Sequence, residues 1–102
     1  MAVVIVATAT VKPGRMEDFL ADMRKVKTIT ENNGAKNVRL LTAVVAGEAT
    51  GTVAFISESD DFATNGAGMD KFLADPEALA MMAVPDGPMV GYQTTLWVDV
   101  PL

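Results

Sequence analysis

The 102 residues make one domain, 1–102, with one core to fill; half of them are hydrophobic, more than so short a chain covers alone, which points to apolar surface buried between subunits. A net charge of −5 repels a polyanion and offers no basic stripe for phosphates, and no apolar run reaches the roughly 18 to 20 residues that cross a bilayer, so nucleic acid and membrane are not expected partners. The lack of cysteine removes disulfides and thiolate chemistry and fits a reducing, cytoplasmic location.

Ala2 to Val11 is almost wholly apolar or Thr and is expected to form a central strand buried on both faces. Ala7-Thr8-Ala9 imitates a signal-peptidase site, but no basic residues precede it and Val3, Val4, Ile5 and Val6 are β-branched, so the segment reads as strand. Lys12-Pro13-Gly14 breaks it. From Arg15 to Asn32 the apolar residues Met16, Phe19, Leu20, Met23, Val26 and Ile29 recur at steps of three and four, one face of a helix that Asn33-Gly34 ends.

Asn37 to Ala46 and Thr50 to Glu58 are β-rich runs joined by Gly47-Glu48-Ala49, a hairpin apolar on both sides. Ser59 or Asp60 is the expected N-cap of a second helix, with Phe62, Met69, Phe72 and Leu73 as its apolar stripe. The run Asn65-Gly66-Ala67-Gly68 is expected to weaken or bend that helix. Asp75-Pro76-Glu77 restarts a short helix to about Met82, Asp75 capping and Pro76 at the first helical position. After the turn-rich Val84 to Pro88, Tyr92 to Val100 is the expected last strand. The order β-α-β-β-α-β is that of the ferredoxin-like α+β fold: a four-stranded antiparallel sheet with two helices on one face. The other face, apolar and bare, is expected to pair with a second copy.

This layout, the opening Lys12-Pro13-Gly14-Arg15-Met16-Glu17-Asp18-Phe19, the two-sided sheet and the Asp75-Pro76-Glu77 restart resemble the dimeric α/β-barrel superfamily, near antibiotic-biosynthesis-type monooxygenases and small stress-responsive barrel proteins. The resemblance implies a homodimer and a substrate cleft between helices and sheet. Cofactor-independent monooxygenases of that superfamily typically carry an Asn on the first strand and a Trp later in the sheet. Here the first strand has no Asn, the third carries Phe55, and the only Trp, Trp97, is near the end of the chain.

The absence of His closes imidazole-dependent chemistry, including haem ligation and a Ser-His-Asp triad, and no cofactor is expected. Glu58, Asp60 and Asp61 form the one dense carboxylate group; helix-dipole complementarity explains it without a metal, and no metal site is expected. Arg39, Tyr92 and Trp97 are the candidate ligand-binding residues: two amphipathic aromatics suited to orienting a small apolar or aromatic molecule, and a cation in an apolar strand. Sheet packing or a subunit contact accounts for the aromatics equally, and an Arg39 to Asp99 bridge across a dimer accounts for the arginine. No catalytic residue stands out. The expected function is binding of such a molecule in the helix–sheet cleft, with a monooxygenase- or isomerase-like enzyme as the alternative.

Overall fold

The structure, a computed structural model, describes residues 2–45, 47–49 and 51–102. Four strands, β1 (Val3–Val11), β2 (Lys36–Thr42), β3 (Thr52–Ser59) and β4 (Met89–Val98), form one antiparallel sheet in the order β2-β3-β1-β4. Helices α1 (Met16–Asn32), α2 (Phe62–Ala74) and α3 (Pro76–Met82) complete a β-α-β-β-α-α-β chain order with the ferredoxin-like topology. The β-branched run of the first segment becomes a central strand, paired with β3 on one side and β4 on the other.

Local chemistry sets the ends of the helices. Gly34, at φ 95°, takes the left-handed conformation that closes α1 without a Cβ penalty. The Asp75 carboxylate accepts from the Glu77 and Ala78 amides at 2.9 and 3.0 Å, capping α3 as its Asp-Pro-Glu sequence requires. The cap of α2 is neither Ser59 nor Asp60 but Asp61, whose Oδ1 accepts from the Thr64 amide at 2.7 Å. The reason is length: β3 runs on to Ser59, so the helix begins later.

The glycine run does not break α2, which is continuous from Phe62 to Ala74. Its inward stripe is also not the expected one. Phe62 and Leu73 are half exposed, whereas Asn65, Gly68, Met69 and Phe72, at steps of three and four, face the sheet. Two strand limits differ as well. β2 stops at Thr42, leaving Val44 and Val45 exposed in the connection through a 3-10 turn at Gly47–Ala49, while Ala46 and Thr50 lie outside the described residues. β4 starts at Met89 and ends at Val98, so Asp99 and Val100 follow the strand rather than belonging to it.

Pleating divides the sheet's side chains. Val3, Ile5, Ala7 and Ala9 of β1, Val53, Phe55, Ser57 and Ser59 of β3, and Leu40 of β2 point to the helices. Phe19 of α1, 1% exposed, is the centre of the core with Ala9 and Val53, and Val11, Leu20, Met23, Leu40 and Met89 close around it. The opposite face presents Val4, Val6, Ala54, Leu41 and Trp97 with no helix over them in the protomer, and Ile56, which its neighbours on that face already bury to 9% exposure.

Candidate functional site

The core does not fill the whole layer between helices and sheet. Beyond Phe19, residues of α1, α2 and the sheet line a cleft of about 120 Å³, roughly ten times the space one water needs. Ile5, Ala7 and Phe55 form its floor, and Val26, Met69 and Phe72 descend from the helices. Polar groups converge on it from four elements: Thr30 of α1 with Asn33 at its end, Ser57 and Ser59 from β3, Asn65 from α2, and Thr94 with Tyr92 from β4. Tyr92 is the single ionisable side chain in this lining, which holds no carboxylate, lysine or arginine.

Ser57, Ser59 and Asn65 are all buried, at 4, 9 and 9% exposure. Among the described residues the Asn65 Oδ1 is the one buried side-chain oxygen or nitrogen without a hydrogen-bond partner. A buried amide oxygen left unpaired costs roughly 1–3 kcal/mol, so its presence on the inward stripe of α2 calls for something that donates to it. Gly68, one turn on, keeps that stripe thin: a Cβ there would lie 3.5 Å from the Asn33 carbonyl oxygen, at the close approach of α1 and α2.

The three sequence-predicted ligand residues do not meet. Tyr92 lines the cleft from its mouth, 64% exposed. Trp97 lies across the sheet on the uncovered face, its Nε1 donating to Thr95 Oγ1 at 2.8 Å, so its polar handle is used within the protomer. Arg39 stands on edge strand β2, where its Nη1 donates to the Asn37 carbonyl at 2.9 Å and lies 3.4 Å from Glu58 Oε2. It also borders a shallow groove beside α1 with Met23 and Lys27. Sequence reasoning read Asn65 as part of a run that weakens or bends the second helix and missed it as the buried polar group. The available signal was its position three, four and seven residues before Gly68, Met69 and Phe72.

The carboxylate group disperses. Glu58 pairs with Arg39, Asp60 with Lys36 at 2.8 Å, and only Asp61 serves the helix. The Thr64 amide holds the Asp61 carboxyl below the usual carboxylate range, and the hydrogen bond to Asp60 raises Lys36. Among the described residues no three His, Cys, Asp or Glu side chains gather as a metal site, and no helix is long and apolar enough to cross a membrane.

No family model and no curated protein matches the sequence. Solved structures do. A NIPSNAP family protein from Agrobacterium tumefaciens superposes with a TM-score of 0.78 at 12% identity, covering 97% of this chain and 86% of its own. An uncharacterised NIPSNAP domain protein from Burkholderia xenovorans gives 0.73 at 20% identity, over 96% of this chain and 94% of its own. A Mycobacterium tuberculosis protein gives 0.71 at 12% identity, over 100% of this chain and 98% of its own. The likeness shows the fold. NIPSNAP neighbours share the ferredoxin-like arrangement of strands and helices, and at these identities the chemistry of the cleft is read from this chain's own side chains.

Proposed function

We propose that this protein is a cytoplasmic homodimer that binds a small, flat, largely apolar molecule in the cleft between α1, α2 and the sheet. The observation that carries the binding reading is the cleft itself. A 102-residue domain has little core to spare, yet it leaves about 120 Å³ open over an apolar floor, with polar groups from four elements converging on it. Tyr92, at the mouth, is the side chain placed to cover one face of a bound ring. In protein carrying labelled methionine methyl groups, addition of indole shifts the Met69 methyl, which lines the cleft, and leaves Met16 and Met82 in place. Unchanged Met69 signals at millimolar indole overturn the reading.

The dimer rests on the other side of the molecule. Leu41, Val90 and Trp97 are 47, 47 and 60% exposed on the uncovered face, and the edge strand β4 also exposes Leu96 and Val98 on its other side. At roughly 1.5–3 kcal/mol per apolar side chain taken from full exposure to full burial, finishing the burial of the half-covered Leu41, Val90 and Trp97 supplies on the order of 2–5 kcal/mol before association costs, to which the partly exposed Val4 and Val6 add. Two copies laid sheet to sheet satisfy this demand, with the Arg39–Glu58 ion pair at the rim. Sedimentation checks it: a lone folded protomer at micromolar concentration contradicts the dimer.

The enzyme alternative, monooxygenase- or isomerase-like, draws on one observation: the Tyr92 phenol opens onto the cleft and is the group there able to give up or take a proton. Turnover of a bound aromatic that is lost in Tyr92→Phe, with binding retained, would favour catalysis over simple binding.

A further inference from the structure

Asn65 distinguishes the cleft from a merely apolar hole. Residues 65, 68, 69 and 72 form the stripe of α2 that faces the sheet, the stripe a helix ordinarily fills with hydrocarbon. Here its first member is an amide, 9% exposed, with Oδ1 unpartnered among the described residues. The hydroxyls of Ser57 and Ser59 are buried in the same lining and can either donate or accept. No carboxylate, lysine or arginine is present there to neutralise a charged guest, which would be desolvated without a counter-charge.

Building on the cleft reading, we infer that the site selects uncharged ligands bearing an N–H or O–H donor, which the Asn65 Oδ1, closed off from solvent in the structure, accepts by rotation of the Asn65 side chain toward the ligand, while Ile5, Ala7, Phe55 and Phe72 hold the ligand's apolar body. Asn65 is then a specificity-determining residue. It discriminates against isosteres that lack the donor, because each of these leaves the amide oxygen buried and unpaired.

The test uses the full chain and two probes of nearly equal shape: indole, which has an N–H donor, and benzofuran, in which oxygen replaces it. Binding is followed through the Met69 methyl signal in the native protein and in Asn65→Leu, which keeps the branched four-atom side chain and removes the amide. The native protein is expected to bind indole about tenfold more tightly than benzofuran, the scale of one buried hydrogen bond, and Asn65→Leu to abolish that preference. Equal affinities in the native protein, tighter binding of benzofuran, or an indole preference that survives in Asn65→Leu each overturn the inference and leave the cleft reading intact. The native comparison decides even where Asn65→Leu folds poorly. A Met69 signal that neither probe moves overturns the cleft reading and the inference together.

Discussion

The two ends of the helix-covered face are built from the same strands and finished differently. At one end Phe19 seats on Ala9 and Val53, and Met23, Leu40 and Met89 close around it. At the other, β1 and β3 continue as Ile5, Ala7, Phe55, Ser57 and Ser59, and α2 sets Asn65, Gly68, Met69 and Phe72 over them. β1 and β3 pair without a break from one end to the other; what changes is the side-chain volume the helices deliver. α1 sends down a full aromatic ring, whereas one turn of α2 sends down an amide and a hydrogen atom. In this protein the cleft comes from withholding bulk along a single helix stripe, which leaves the central β1–β3 pairing unbroken.

Breaking the filled end should have the largest effect. Phe19→Ala removes the most buried large side chain and is expected to cost about 3–5 kcal/mol, a large part of the roughly 5–15 kcal/mol that stabilises a typical domain. Urea unfolding measures it, and a loss below about 1 kcal/mol would show that Phe19 does not anchor the layer. Trp97→Ala acts on the uncovered face instead. With the ring 60% exposed in the protomer, the proposed interface rather than the protomer core should suffer. A buried interface tryptophan is worth about 2 kcal/mol or more, so dimer dissociation should strengthen roughly thirtyfold. Sedimentation equilibrium measures this, and an unchanged dimer moves Trp97 out of the interface.

These contrasts mark what was legible in the sequence. Element order and the ferredoxin-like fold were readable because β-branched runs, helical spacing and the Asp75-Pro76 restart all agree. Phe19 was readable as a core residue because it sits in a clean stripe. The cleft was not, because the glycines of α2 read by propensity as a weak helix, and helical packing overrode that propensity. Asn65 read as part of that weakness for the same reason. Pleating alone puts Tyr92 and Trp97, five residues apart, on opposite faces; what sequence leaves open is which of the two faces the helices, and that is set by the pairing of β4 with β1, where Trp97 lies beside Val4 and Thr94 beside Ala7. Arg39 was visible as an odd cation, but its partner Glu58 depends on the pairing of β2 with β3.

The open end offers a finer comparison through its two glycines. A methyl group added at Gly66, which is exposed, would meet nothing within 4 Å, while Gly68 lines the cleft. Neither has positive φ, so alanine at each should stabilise α2 by about 0.8–1 kcal/mol through helix propensity. Only Gly68→Ala places its methyl in the cleft wall. Both variants should raise the melting temperature similarly, and Gly68→Ala alone should weaken indole binding. Equal binding in the two would mean that the Gly68 wall does not bound the ligand.

The smallest expected effect separates the two ends by pH and salt. At the filled end, Asp86 accepts from Lys12 at 2.7 Å and lies 3.4 Å from Arg15, tying the turn before β4 to the start of α1. At the open end, Asp61 caps α2. Both carboxyls are held below the ordinary value of 3.8, Asp86 by the Lys12 hydrogen bond and its charge, Asp61 by the Thr64 amide. A carboxyl lowered on folding stabilises the protein above its unfolded value, and that contribution fades as pH falls through the folded value. Acidification below 3.8 should therefore loosen both ends slightly. Salt tells them apart: molar salt, with a screening length of about 3 Å, should shrink the Asp86 contribution and spare the Asp61 hydrogen bond to the backbone. The Thr64 amide shift should titrate with a midpoint below 3.8 at either ionic strength; a midpoint at or above that value would show that Asp61 does not hold the first turn of α2.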